Sequence, residues 1–197
     1  MNDTYFSPLL MLKNCPAEES VSEYARERGW QYAARSAGNP HTFEPAEVVW
    51  SADSALRVHY GENHFTGYCY VQVSGEQPGQ VQSLSGRLLQ DLDVYTFEEL
   101  LQAVDDAHNE SMLGATLTLL AMGAPAVDQR VLQRLKRGFS HPSEKLRELV
   151  VWSMSLNPRA EFRPLLRSAA EEDPSPSLRD KAQRMLASYD SAGVEQA

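Results

Sequence analysis

Apolar positions alternate with polar ones through much of the first half of the chain, and recur every three or four residues through the second half. A change of period from two to about 3.6 is the signature of strands giving way to helices. Leu56, Val58 and Tyr60 alternate with Arg57 and His59, which predicts a strand wet on one face. Strands are predicted likewise over residues 30–35, 47–52 and 65–73, and Leu9 to Leu12 predict a short buried strand within residues 7–13. Val21, Tyr24 and Ala25 sit at helical spacing, so a helix is expected over residues 16–28, with Pro16 and early acids in its first turn and Gly29 as a left-handed stop. Turns are expected at Gly38-Asn39-Pro40, at Asp53-Ser54 and over residues 61–64. Residues 75–79, with Pro78, read as an exposed loop, and residues 81–92 fit strand and helix alike and are left unassigned.

Self-comparison organises the second half. The segment His141-Pro142-Ser143-Glu144-Lys145-Leu146-Arg147-Glu148 returns 32 residues later as Asp173-Pro174-Ser175-Pro176-Ser177-Leu178-Arg179-Asp180, with Pro, Ser, Leu and Arg coincident. Val150 then falls on Ala182, and Met154 on Leu186. A step of 33 in the other direction sets His108, Leu113, Leu117 and Ala121 under His141, Leu146, Val150 and Met154. Helices are predicted over residues 110–121 and 126–138, 143–155 and 159–171, and 176–188. Over residues 108–189 the chain resembles the HEAT-repeat family, whose units often open on an Asp-Pro-like turn followed by an apolar-Arg step, here Leu146-Arg147 and Leu178-Arg179. The first copy departs from that pattern, with Gly114 in place of the arginine and no proline after His108. About two and a half units are present where three or more are usually needed. The expected cap is a helix over residues 96–107, with Thr96 and Glu99 as a capping box and Phe97, Leu100, Leu101 and Val104 at helical spacing. The fold class expected is therefore an α+β N-terminal domain with antiparallel strands (residues 1–95), packed on a short C-terminal α-solenoid of HEAT-like helix pairs (residues 96–190), with residues 191–197 as a flexible tail.

Charge separates the same two parts. Residues 1–107 hold 6 Lys/Arg and 16 Asp/Glu, and residues 108–197 hold 12 and 11, so nearly all of the formal −9 of this 197-residue chain lies in front. Of the 17 aromatic residues, 13 precede residue 108. No apolar run reaches the ~18 to 20 residues of a membrane span, and Met1-Asn2-Asp3-Thr4 opens no basic and apolar signal segment, so a cytoplasmic protein is expected. Two cysteines, Cys15 and Cys69, make no disulfide framework, although they allow one bridge.

Catalytic chemistry is not legible. His59, His64 and Cys69 lack a fourth ligand and any paired Cys-x-x-Cys, and a strand histidine, a turn histidine and a buried cysteine account for them. No Gly-x-Ser-x-Gly elbow or phosphate-binding loop occurs, so neither an enzyme nor a bound cofactor or metal is expected. The acid row does discriminate: Glu18, Glu19, Glu23 and Glu27 lie three and four residues apart on one helix side, a like-charge row that weakens the helix. A surface with Glu19, Glu23 and Glu27, anchored by exposed aromatics among Trp30, Tyr32, Trp50, Tyr68 and Tyr70, suits a basic protein partner. Arg130, Arg134 and Arg163 give the second helices a basic face and a candidate concave groove, although an acidic chain disfavours nucleic acid. Size, charge and the HEAT resemblance together imply a non-catalytic protein-binding module, first a stoichiometric inhibitor such as an immunity protein against a basic nuclease toxin. The alternatives are a HEAT-repeat scaffold or assembly factor, or an enzyme or cofactor-handling protein of the kind HEAT-like bilin lyases and DNA glycosylases exemplify. Partner identity and oligomeric state are not encoded in any recognisable motif.

Overall fold

A computed structural model describes residues 4–39, 41 and 44–194. It shows an antiparallel sheet followed by helices, an α+β arrangement. The chain forms two compact units, Met1–Thr96 and Phe97–Ala197.

In the first unit, β3 (Gln31–Ser36), β4 (Ala46–Ser51), β5 (Leu56–Asn63) and β6 (Tyr68–Gly75) form a meander, each antiparallel to the next. The outer side of β6 is covered by an interrupted strand, β1 (Tyr5–Phe6) and β2 (Leu10–Met11), with Pro8 in the break. Alternation sends Val58, Tyr60, Val71 and Val73 to one face, where α1 (Glu18–Glu27) and α2 (Pro78–Asp91) bury Val21, Ala25, Val81, Leu84 and Leu88 against them. The opposite face carries Glu47, Val49, His59, Gln72 and Ser74.

Several expectations are corrected here. Pro16 is outside the helix, on a cis Cys15–Pro16 bond, and α1 starts at Glu18. Strand β5 runs through residues 61–63, and the reversal falls later, where Asn63 Oδ1 accepts the N–H groups of Phe65 and Thr66 and Gly67 adopts φ 71°. Pro78 opens α2 instead of a loop, and residues 81–91 are helix because Val81, Leu84 and Leu88 reach the core together. Gly38 adopts φ 69° and Asn39 bridges Glu44, whereas Pro40 of the expected turn lies outside the described residues. Cys15 and Cys69 are joined in a disulfide that ties the start of α1 to β6.

The second unit contains α3 (Phe97–Asp105), α4 (Glu110–Gly123), α5 (Gln129–Phe139), α6 (Glu144–Ser153), a 3-10 turn over Ala160–Phe162, α7 (Arg163–Glu172) and α8 (Pro176–Ser191). Contacts between successive helix pairs repeat with the sequence. Asn157 Nδ2 donates to Met122 O at 2.6 Å, and 32 residues on, Tyr189 Oη donates to Met154 O at 2.7 Å. Ser143 and Ser175, which cap α6 and α8, each donate a hydroxyl backwards, to Glu110 and Glu144. Arg147 makes a buried, two-armed pair with Asp173, at 2.8 and 3.1 Å, and its Nη1 also donates to the His141 and Pro142 carbonyls. Arg179, its counterpart one copy later, donates likewise to Asp173 O. The glycine in the first copy has a packing cause: a Cβ on Gly114 would lie 2.7 Å from Leu149 and 3.2 Å from Leu146 of α6. The last helix runs further than expected, to Ser191, and Arg163 Nε holds Val194 O at 2.8 Å, so the proposed tail is ordered to residue 194; residues 195–197 lie outside the described residues.

Candidate functional site

Helix α1 and the exposed outer strand β3 are joined by the Glu18–Arg35 pair. Glu19, Glu23 and Glu27 point to solvent, while Val21, Tyr24 and Ala25 are buried, as the helical spacing dictates. The row is partly neutralised: Glu18 pairs with Arg35 of β3, Glu23 with Arg26 at 3.2 Å, and Glu27 approaches Arg28 at 4.0 Å. Strand β3 pairs with β4 on one side only and is exposed at all six residues, with Tyr32 63% exposed. A register shift between Tyr32 and Ala34 interrupts the β3–β4 ladder.

The aromatic anchors are placed unequally. Trp50 is a core residue, opposite Tyr32 in the ladder and facing α1 and α2, so its side chain offers nothing to a partner. Trp30 is half-buried and meets Tyr24 edge-on at 5.5 Å. Tyr24 in turn donates to Asp91 at 2.7 Å and carries the Arg28 guanidinium over its ring at 3.4 Å. Burial, then the bond to Asp91, pushes the Tyr24 phenol up to about 12. Of the aromatics weighed as anchors, Tyr32 is the exposed one, and its place on an outer strand is the reason.

The arginines of the helical unit are engaged within it. Arg130 is held by Asp128 at 2.8 Å and Glu98 at 2.7 Å and lies over the Phe97 ring at 4.7 Å; its hydrogen bonds to Asp128 and then Glu98 hold its pKa above the ordinary value. Arg134 grips Asp105 with two nitrogens. Arg163 is buried, tied to Asp190 and Val194 O, and so is unavailable to a groove. Helix α3 thus supplies the acids that neutralise α5. Dividing the charge at the unit boundary leaves 6 Lys/Arg against 12 Asp/Glu in residues 1–96, and 12 against 15 in residues 97–197. Between α5 and α7 lies a cavity of about 400 Å³ with Phe139, Pro164 and Leu165 in its lining and Lys136 and Glu172 among its charged residues.

The open face of the sheet holds an arrangement that sequence reading missed. Glu47 on β4, His59 on β5 and Ser74 on β6 stand diagonally on adjacent strands. Glu47 Oε1 lies 3.0 Å from His59 Nδ1, and Ser74 Oγ lies 2.8 Å from His59 Nε2. The tautomer assigned from these contacts puts the proton of a neutral imidazole on Nδ1, facing the Glu47 carboxylate, and leaves Nε2 to accept from the Ser74 hydroxyl. Alternation had placed His59 on the wet face, but pairing with residues 12 and 15 positions away in sequence depends on strand register, which no local pattern displays.

His64 lies 3.6 Å from Glu62 and Cys69 is in the disulfide, so the three residues weighed for zinc do not converge on one point; among the described residues no group of three His, Cys, Asp or Glu side chains is arranged to hold a metal ion. No helix among the described residues is long and apolar enough to cross a membrane. Comparisons with protein-family models, with curated proteins and with solved structures found nothing that matches this chain.

Proposed function

We propose that the protein is a non-catalytic protein-binding module, and within that class a stoichiometric inhibitor of a basic protein, such as an immunity protein that neutralises a nuclease toxin. The carrying observation is a row of exposed α1 carboxylates, Glu19, Glu23 and Glu27, on a helix whose Glu18 pairs with Arg35 of a fully exposed outer strand bearing Tyr32. Carboxylates steer a basic partner and raise its association rate, and an outer strand offers unpaired backbone groups for strand addition, with Tyr32 as a rigid anchor. The helical unit, read as a HEAT-like solenoid on its 32-residue recurrence, serves as the framework.

The test is a pull-down of tagged protein at ~0.1 M and ~0.5 M salt, followed by association kinetics with the captured partner. A basic partner whose on-rate falls at least about tenfold with Glu19→Lys/Glu23→Lys supports the reading. An unchanged on-rate rejects steering through α1. The α5–α7 cavity favours a second reading, a scaffold that docks a partner helix or peptide. Under that reading Leu165→Glu abolishes capture while the α1 charge reversals leave it intact. Cytoplasmic residence belongs to the same proposal, and the Cys15–Cys69 bridge weighs against it, since structural disulfides persist mainly in oxidising compartments.

A further inference from the structure

We infer that Ser74 is an activated nucleophile, with His59 as its general base and Glu47 as the positioning residue, able to accept an acyl group from a small ester. This does not rest on the binding reading; it is compatible with partner binding through α1 and β3 and replaces the non-catalytic part of that reading.

Three observations carry the inference. The hydrogen bonds run in the order that nucleophilic catalysis needs, hydroxyl to Nε2 at 2.8 Å and Nδ1 to carboxylate at 3.0 Å. The proton inventory leaves Nε2 as the basic nitrogen facing the hydroxyl. Finally, Arg57 stands directly across from Ser74 in the β5–β6 pair, on the same face, and its Nη1 donates to the Asp53 and Leu56 carbonyls. A guanidinium there is suited to the oxyanion that develops on the former carbonyl oxygen, two bonds from Ser74 Oγ. Val49, opposite His59, provides apolar surface for a compact acyl group. Ser74 is only 5% exposed, and access follows separation of β1, which holds β6 through the pairs Tyr5–Gly75 and Phe6–Ser74.

In the step assigned, Ser74 Oγ forms a bond to the ester carbonyl carbon as its proton passes to His59 Nε2. The tetrahedral oxyanion then collapses, the carbon–oxygen bond to the leaving alcohol breaks, and that alcohol takes the proton from Nε2. Water repeats the sequence on the acyl-serine, releasing the acid and restoring Ser74.

The experiment treats the full chain with a small alkyl fluorophosphonate and follows intact mass and peptide maps. One adduct per chain, on Ser74, is expected, absent in Ser74→Ala and slowed about a hundredfold or more in His59→Gln and Glu47→Gln. Labelling of native wild type is compared with labelling in urea, which disperses the relay; this arm needs no variant to fold, and the Ser74 adduct should disappear there. The inference is overturned if native Ser74 stays unlabelled, if it labels equally in urea, or if a folded His59→Gln labels as fast as wild type. A null result leaves steering by α1 untouched, because that reading is judged by on-rates.

Discussion

Removing Asp173 tests the account of the helical unit most directly. Its carboxylate takes two hydrogen bonds from Arg147, at 2.8 and 3.1 Å, and accepts the Ser175 N–H at 2.8 Å where α8 begins. Both members of the pair are buried, with side chains 7% and 4% exposed. In Asp173→Ala the guanidinium keeps only the His141 and Pro142 carbonyls and becomes a buried, uncompensated charge. Breaking one side of such a pair costs about 3–5 kcal/mol. With a urea m-value near 2 kcal/mol/M, the unfolding midpoint followed by circular dichroism should drop by about 2 M. Replacing both partners, as Arg147→Met/Asp173→Leu, removes the stranded charge and should restore more than half of that loss. The exposed pair Arg184–Asp180, 68% and 62% exposed, is the control, and Asp180→Ala should shift the midpoint barely measurably. The reasoning is refuted if Asp173→Ala costs less than about 1 kcal/mol, or if the losses of the two single variants simply add in the double. A pH series gives a second reading of the same pair. Burial raises the Asp173 carboxyl, but the Arg147 bonds and the Ser175 N–H more than reverse this and hold it below the ordinary carboxylate value. A group depressed in the folded state contributes stability above its unfolded pKa of about 3.9 and loses it as pH falls through the folded value. Wild type should therefore weaken in acid, and Asp173→Asn should show a flatter acid limb.

Other outcomes follow from single contacts. Gly61→Ala places a Cβ 2.2 Å from the Tyr70 ring carbon and should destabilise by about 1–3 kcal/mol in the same urea assay. Gly138→Ala meets Leu117 and Val150, each at 2.7 Å, and should cost a similar amount, whereas Gly86→Ala, with nothing within 4 Å, should stabilise slightly as a helix interior substitution. Cys15→Ser/Cys69→Ser opens a link across 54 residues and should lower stability by up to about 4 kcal/mol, with non-reduced wild type two hydrogens lighter by intact mass. Burial, the largest cause in each case, pushes the phenols of Tyr68, Tyr70 and Tyr189 up to about 12. A phenol raised in the folded state contributes stability that is full below about pH 10 and lost as pH climbs towards 12, so alkaline unfolding should accompany the late tyrosinate absorbance.

Local pattern carried much of this protein. Alternation at Leu56, Val58 and Tyr60 marked the strand and its wet face, because side chains on a strand have a period of two. The 32-residue recurrence located the helix pairs and their serine caps, because a repeated sequence makes the same contacts with each neighbour. Where local preference was balanced, tertiary structure decided. Ser83, Ser85 and Gly86 weaken helix propensity in residues 81–92, and only the burial of Val81, Leu84 and Leu88 against the sheet made α2 a helix. Trp50 as core and Tyr32 as surface depended on which strand lies outermost, and strand order is a property of the whole sheet. Charge behaved likewise: Arg130 and Arg134 read as a free basic face until α3 brought Glu98 and Asp105 to them. The Glu47–His59–Ser74 relay and the Cys15–Cys69 bridge join residues distant in sequence. Sequence determined which residues each element carries and which way they face; pairing between elements, fixed by register and packing over the whole fold, determined which of them meet.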